Sequence, residues 1–276
     1  IVTHIDNDGF VRFHTLGGFD PKTLTSQRVL IHGKKTLLGV MGSKPIHVMT
    51  PEERSKNPLI SDYFIDMGMK REDVVKYISV GDSITREREL VEMGDCVNCK
   101  SLDNRVSVFI LIETLRKLKG KKLPYDFYGV FTVQEEVGLQ GATMITDTIK
   151  PHAAIITDVC HDTATPIMDF KKFGEIKAGK GPELTVAPAV HNKLLNLVID
   201  AADENEIPYQ RAASSRVTGT DTDAFAYSNG GVPSCLISLP LRYMHTTVEM
   251  AHKDDVTNVS LLILESLMKI ENNHNF

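Results

Sequence analysis

The sequence has no tryptophan and only four cysteines among its 276 residues, and it carries no excess of positive charge. Cysteines without regular spacing do not match the framework of a disulfide-stapled secreted domain, so we expect a reducing, cytoplasmic location. No apolar run approaches the length of a membrane span, and no positively charged leader precedes one. A net charge of −5 offers no basic field to a phosphate backbone. We therefore expect neither a membrane nor a nucleic acid as a partner.

Several chemistries lack the motif that they need. No Gly-x-Ser-x-Gly occurs, which disfavours a serine hydrolase. Gly33-Lys34-Lys35-Thr36 lacks the upstream glycine of a phosphate-binding loop, because Arg28 takes that place. Cys96 and Cys99 have the spacing of half a structural zinc site, but no second pair of this kind exists. We interpret the cysteines as packing residues.

The beginning of the chain also lacks an initiator methionine. The apolar stretches Ile1–Ile5 and Phe10–Phe13 flank the turn residues Asp6-Asn7-Asp8-Gly9, a pattern that predicts a β-hairpin. No sequence leads into the first strand of this hairpin, so we expect a truncated or processed chain.

The composition that is present is typical of a globular protein, with 42% hydrophobic and 24% charged residues. The length allows one large domain or two smaller ones. Residues 1–95 are rich in short apolar runs separated by glycines, such as 28–32 and 36–41, which indicates a small barrel or sandwich. The residues 51–56 are polar and predict a surface turn or short helix.

From Arg105 onward the hydrophobic period becomes helical, and Gly120 is a typical helix stop. The apolar positions of this helix are Val106, Phe109, Ile112, Leu115 and Leu118. Further helices are predicted over 138–149, 192–205 and 257–270, and strands over 125–133, 153–158, 209–213 and 232–239. Alternating strands and helices predict an α/β domain with a largely parallel sheet and helices on its faces.

The predicted strand that includes Val130–Val133 is followed by two adjacent carboxylates, Glu135 and Glu136. Neighbouring strand residues face opposite ways, so these two acids are expected to have different roles. A charged strand end in solvent is the simpler explanation for one isolated pair of this kind.

Three other potential ligands accompany the pair: Asp103 before the first long helix, Asp158 at the end of a predicted strand, and His245. Each has an ordinary explanation by itself, since Asp103 and Asp158 could cap a helix or turn and a lone histidine is seldom a ligand. Together, at one edge of a sheet, they favour a site for Zn²⁺, Co²⁺ or Mn²⁺. A two-metal site needs a bridging carboxylate and a base for the water, which this set can supply.

The motifs that carry these residues resemble the signatures of the M42 family of metallo-aminopeptidases, the tetrahedral and glutamyl aminopeptidase type, some once labelled cellulases. The resembling stretches are Gly17–Pro21, Gly39–Pro45, Lys100–Arg105, Gln134–Ala142, Gly219–Asp221 and Pro240–His245. The resemblance covers essentially the whole chain. It implies a mixed sheet sandwiched by helices, of the phosphorylase/hydrolase type, in residues 96–276, and an inserted β-barrel oligomerisation domain in residues 1–95.

The resemblance also implies the roles of single residues. Asp103 would bridge two divalent ions, Glu136 and His245 would bind one of them, Asp158 would bind the other, and Glu135 would be the general base. The cofactors would be two Zn²⁺ or Co²⁺ ions, the substrates short peptides, and the assembly a homo-oligomer built on dimers, as large as a dodecamer. Gly219, Thr220 and Asp221 would line the pocket near the substrate's free amino terminus.

Two departures from the family pattern leave alternatives open. Asn104 stands where the family often has aspartate, and the histidine of the family's Ala-His-x-Asp-Glu motif is absent; His4-Ile5-Asp6 is no substitute, because its neighbours match the hairpin that follows that motif. One ion would then have three protein ligands and the other two. An impaired or inactive homologue acting as a scaffold is therefore one alternative. A glycosidase is another, disfavoured because adjacent glutamates point apart and no tryptophan platform exists.

Overall fold

The computed structural model describes residues 1–166, 168–271 and 276. The contacts among these residues divide the chain into two units. The first comprises Ile1–Glu89 with the short piece His245–Thr247, and the second comprises Leu90–Met244 with Val248–Phe276.

The first unit is built on a six-stranded antiparallel sheet. Its strands are β1 (Val2–Ile5), β2 (Val11–Phe13), β3 (Arg28–His32), β4 (Thr36–Gly42), β5 (Phe64–Asp66) and β6 (Ser83–Arg86), in the order β1-β2-β5-β4-β3-β6. Two helices accompany them, α1 (Pro51–Ser55) and α2 (Arg71–Tyr77). The backbone of Val2 donates to Asp82 O and accepts from Gly81 N, each at 2.9 Å. These bonds bring β1 to the turn before β6, so the sheet curls into a partial barrel.

The local patterns of this unit account for its strands. The hairpin of β1 and β2 forms as predicted, and Asp6 Oδ1 accepts from the backbone of Asp8 and Phe10 across its turn. Gly9 ends that turn at φ +97°, and a Cβ there would lie 2.4 Å from Met69 O, so only glycine fits. Alternate strand residues such as Val29 and Ile31 point into the unit's apolar core.

The second unit contains a seven-stranded mixed sheet. Its strands are β7 (Val91–Met93), β8 (Cys96–Cys99), β9 (Ala154–His161), β10 (Glu183–Val186), β11 (Gln210–Ala213), β12 (Ser234–Arg242) and β13 (Glu249–His252). The order is β11-β10-β12-β13-β8-β7, with β9 paired to β12. Among the described strands of this sheet, only the β9–β12 and β10–β11 pairs are parallel. The prediction of a largely parallel sheet was therefore wrong, because β13 and β8 add antiparallel strands on one side of β12.

Helices cover this sheet. They are α3 (Leu102–Leu118), α4 (Gln140–Ile149), α5 (Phe170–Phe173), α6 (Asn192–Glu204), α7 (Asp221–Ala226) and α8 (Lys253–Lys269). Eight consecutive residues of β12, from Ser234 to Leu241, are buried, as expected for a strand covered on both faces. The mixed α/β fold is thus confirmed. None of the helices in the described part of the chain is long and apolar enough to cross a membrane.

Helix α3 forms where its period predicts, but its buried stripe is only partly the predicted one. Val106 and Ile110 are buried against the sheet, together with Leu102 and Leu118. Phe109 is 53% exposed, and Ile112 and Leu115 are each 38% exposed. The helix therefore packs through positions spaced by four residues, and part of its apolar surface lies outside the core.

The predicted strand over 125–133 does not form. Three of its large apolar side chains are exposed, Tyr128 at 60%, Phe131 at 47% and Val133 at 68%. A β-branched run becomes a strand only when another strand pairs with its backbone, and none of the described strands does so here. The prediction was wrong because strand pairing depends on distant residues.

Candidate metal and catalytic centre

A cavity of about 450 Å³ lies in the second unit beside β9 and the first turns of α3. Its walls are mainly apolar, with Val108, Phe131 and Ile156 among them. Five carboxylates reach it: Asp103, Glu135, Glu136, Asp158 and Asp221. An apolar pocket with a few convergent charged groups is the usual form of a small-molecule or catalytic site.

Asp103 stands at the irregular beginning of α3. Its backbone and that of Asn104 are not helical, the peptide bond between the two is cis, and Ser101 before them has φ +53°. The Asp103 N–H donates to Glu249 Oε2 at 3.1 Å, and Glu249 is only 2% exposed. This buried contact from β13 fixes the backbone that presents the Asp103 carboxylate.

Asp158 lies within β9, which continues three residues beyond the predicted end at this aspartate. The residue is 7% exposed, and its Oδ1 accepts from Asn104 Nδ2 at 2.6 Å and from Val159 N at 2.8 Å. The pKa of Asp158 is raised to about 8, mainly by burial and also by the charges of Asp103, Glu135 and Asp221, while the bond from Val159 N lowers it. Three other carboxylates are thus close enough to act on this one.

Glu135 and Glu136 lie in a single 3-10 turn, Glu135–Val137, and not on a strand. Gln134 before the turn has φ +60° and Gly138 after it has φ +115°, so the backbone leaves the extended conformation here. Glu135 O accepts from the backbone of Gly138 and of Leu139, each at 3.0 Å. The geometric premise that separated the two glutamates was therefore wrong, and a tight turn positions them instead.

Close approach of the backbone explains a glycine next to this turn. Gly141 N donates to Val133 O at 2.9 Å, and a Cβ at Gly141 would lie 2.4 Å from that oxygen. Any larger residue would push the start of α4 away from the segment that leads into the glutamates.

Three of the predicted ligands converge. Asp103, Glu136 and His245 each offer one ligand atom, and these atoms all lie within 4.8 Å of one another. Two carboxylates and an imidazole are a donor set that suits a divalent transition ion, so the residues present fit a metal. Asp158 and Glu135 are outside this trio. Asp158 lies at the same cavity, near Asp103.

The sequence pattern of the M42 glutamyl aminopeptidase family matches residues 1–262. The chain belongs to the M42 peptidase family. It is 35% identical to a putative aminopeptidase of Acetivibrio thermocellus over 97% of this chain and 78% of that protein. The crystal structure of a TET aminopeptidase from Thaumarchaeota archaeon SCGC AB-539-E09 superposes with a TM-score of 0.92 at 32% identity, covering 99% of this chain and 78% of the other. A structure of the Pyrococcus horikoshii TET1 peptidase, described as assembling into a tetrahedron or a large octahedral shell, has a TM-score of 0.82 at 28% identity, covering 96% and 78%.

The Gly219–Asp221 motif of this M42 chain only partly reaches the cavity. Asp221 lines it from the start of α7, whereas Gly219 is exposed and donates its N–H to Asp223 Oδ2 at 2.9 Å. Thr220 is the N-cap of α7, accepting from Thr222 N at 3.2 Å. Glycine and threonine thus build the turn that presents the aspartate.

Asp221 is 8% exposed and its two oxygens differ. Oδ2 accepts from the Thr132 hydroxyl at 2.5 Å, and Oδ1 is buried without a hydrogen-bond partner among the described residues. Burial raises the pKa of Asp221, and the bond from Thr132 lowers it. A buried carboxylate oxygen without a donor is costly, so it marks a place where a ligand or water belongs.

Sequence reasoning missed three contributors to this M42 site. Glu249 was overlooked because β13 has only four residues, and their sequence, Glu-Met-Ala-His, does not alternate between polar and apolar residues. Asn104 was noted only as a departure from the family, although it donates to Asp158. Thr132 gave no signal at all, since its partner Asp221 is 89 residues away.

Proposed function

We propose that this M42 chain is a metal-dependent aminopeptidase that releases amino-terminal residues from short peptides. The observation that carries the proposal is the convergence of Asp103, Glu136 and His245 at ligand distance, with further carboxylates in the adjoining cavity. Membership of the M42 family supports the reaction class. Aminopeptidase names among the relatives support it too.

The residues that would hold the metal follow from the donor set. Asp103 would bridge two divalent ions, either Zn²⁺ or Co²⁺, with Glu136 and His245 on one ion and Asp158 on the other. Asp158 would bind its ion through Oδ2, because the two donors that contact this carboxylate, Asn104 Nδ2 and Val159 N, both bond to Oδ1. When bound, such ions acidify a water molecule and polarise the scissile carbonyl.

The chain's own side chains then carry the protons and the substrate. Glu135 accepts a proton from the attacking water and returns it to the leaving amine. Asp221 Oδ1, which has no donor among the described residues, accepts from the substrate's free ammonium group. Gly219 and Thr220 hold that carboxylate in place.

Replacing the base tests the mechanism. Glu135→Gln keeps the size of the side chain but cannot accept the proton, so kcat is expected to fall by about 10²- to 10⁴-fold. The measurement is release of free amino acids from short peptides with Co²⁺ or Zn²⁺ present. A variant as active as the natural chain would remove Glu135 from the mechanism, and a natural chain without activity would favour the scaffold alternative.

We also propose that residues 1–95 form the oligomerisation domain of a homo-oligomeric, cytoplasmic protein. The first unit exposes large apolar side chains that suit an interface, among them Leu16, Ile46, Val48 and Leu59, each at least 60% exposed. All four cysteines are free, which agrees with a reducing compartment. Light scattering on the purified chain tests the assembly, and a monomer at all concentrations would contradict it.

A further inference from the structure

The segment that leads into the glutamate turn has few hydrogen bonds, although Phe127 packs against the apolar core of the second unit. Tyr125 donates its hydroxyl to Leu267 O at 2.5 Å, and beyond it the residues 126–131 make no hydrogen bond to any described residue. The next attachment is the Thr132 hydroxyl on Asp221 Oδ2. After Thr132, the carbonyls of Val133, Gln134 and Glu135 accept from the backbone of residues 138–141.

The direction of the Thr132–Asp221 bond is fixed by chemistry. An ionised carboxylate only accepts, so the hydroxyl donates, at a distance of 2.5 Å. Bonds of this kind to a charged acceptor are about twice as strong as neutral ones. Because Asp221 stands at the capped start of α7, the bond ties a weakly held segment to a defined position.

The same bond also orients the other carboxylate oxygen. With Oδ2 on Thr132, Asp221 cannot rotate freely, and Oδ1 stays buried without a protein donor while the residue lines the cavity. The backbone at Thr132 leads into Glu135, which lines this cavity as well. One hydroxyl therefore positions two parts of the same cavity, the segment that leads into Glu135 and the carboxylate of Asp221.

We infer that Thr132 is a positioning residue for catalysis, whose hydroxyl holds both the Glu135 turn and the substrate-facing oxygen of Asp221. The inference deepens the proposed function and rests on it for the kinetic consequences. Its structural part concerns only contacts within the second unit and stands by itself.

Amide hydrogen exchange tests the structural part without any activity. The amides to follow are those of Gly138, Leu139, Gln140 and Gly141, because their acceptors lie on the segment that Thr132 attaches. Thr132→Val keeps the shape and removes the donor, and exchange at these amides is expected to be about ten- to a hundredfold faster. Thr132→Ser keeps the hydroxyl and is expected to match the natural chain.

Two further variants separate the effect of the Thr132–Asp221 hydrogen bond from the effect of the charge on Asp221. In Asp221→Asn the amide oxygen still accepts from Thr132 through a weaker, neutral bond, so exchange is expected to accelerate less than in Thr132→Val, while KM for peptides rises. Thr148→Val is the matched control, since the Thr148 hydroxyl donates to Met144 O on the exposed side of α4 and has no other partner among the described residues. Exchange and kinetics are expected to be unchanged in this control.

The expected effect on catalysis arises because loss of the Thr132 hydroxyl would displace the general base, Glu135. Thr132→Val is expected to lower kcat by about ten- to a hundredfold, with Thr132→Ser restoring it. A natural chain that releases no amino acids would defeat the proposed function but leave the exchange comparison decisive. Natural exchange rates in Thr132→Val, or equal acceleration in Thr132→Ser, would overturn the inference.

Discussion

The cavity has two walls that are built in different ways. Asp158 comes from β9, whose eight residues all pair with β12, and it is buried and held by two hydrogen bonds. Glu135 and Glu136 come from a single turn between two residues of positive φ, at the end of a segment that lies outside the described strands. The first wall is a regular strand, and the second is irregular backbone fastened at a few points.

This difference indicates which contacts hold the carboxylates of each wall in position. A carboxylate inside a ladder has its position set by many backbone bonds, whereas the glutamate turn depends on Thr132, Gly141 and the start of α4. Local stability is lowest where buried contacts are few, so the glutamate wall is the part of the site expected to open first. Metal or substrate that joins both walls would then stabilise the weaker one.

One matched pair of core and wall substitutions would sharpen this comparison. Ile237 pairs with Thr157 across the β9–β12 ladder and is fully buried, so Ile237→Ala is expected to lower the free energy of unfolding by about 2–5 kcal/mol. Val133, on the other wall, is 68% exposed. Val133→Ala is therefore expected to change the free energy of unfolding by no more than about 0.5 kcal/mol. Urea denaturation of both variants measures the two effects. Equal losses would show that the glutamate wall is as well packed as the strand.

The same contrast explains what sequence could predict. Strands β3, β4 and β12 and helices α6 and α8 were found within a few residues, because their patterns are local and their apolar faces are buried. The run 130–133 has the composition of a strand and is not one, because no partner pairs with it. The composition of a run does not show whether another strand pairs with it.

The candidate site shows the same limit. The residues came from motifs that resemble the M42 family. One ligand atom each of Asp103, Glu136 and His245 lies within 4.8 Å of the others, and the roles assigned to these residues stay predictions. Their supports, Glu249, Asn104 and Thr132, were out of reach because each acts across at least 50 residues of chain. The turn at Glu135 was missed because the positive φ that opens it falls on Gln134, a residue type that seldom adopts it.

Metal titration would test whether the two walls differ in function as well as in construction. Glu136 belongs to the converging trio and Asp158 does not, so the first Co²⁺ ion is expected to bind through the glutamate wall. Glu136→Gln should then weaken the binding of this first ion by about a hundredfold, near 2.7 kcal/mol. Mutating even a residue that only hydrogen-bonds to a metal ligand typically lowers metal affinity ten- to a hundredfold. Asp158→Asn should leave the first event nearly intact and weaken a second. Calorimetric titration of the two variants beside the natural chain measures both events. The opposite order, with Asp158→Asn removing the first event, would mean that the strand wall initiates binding and that the glutamate turn closes on an ion already held.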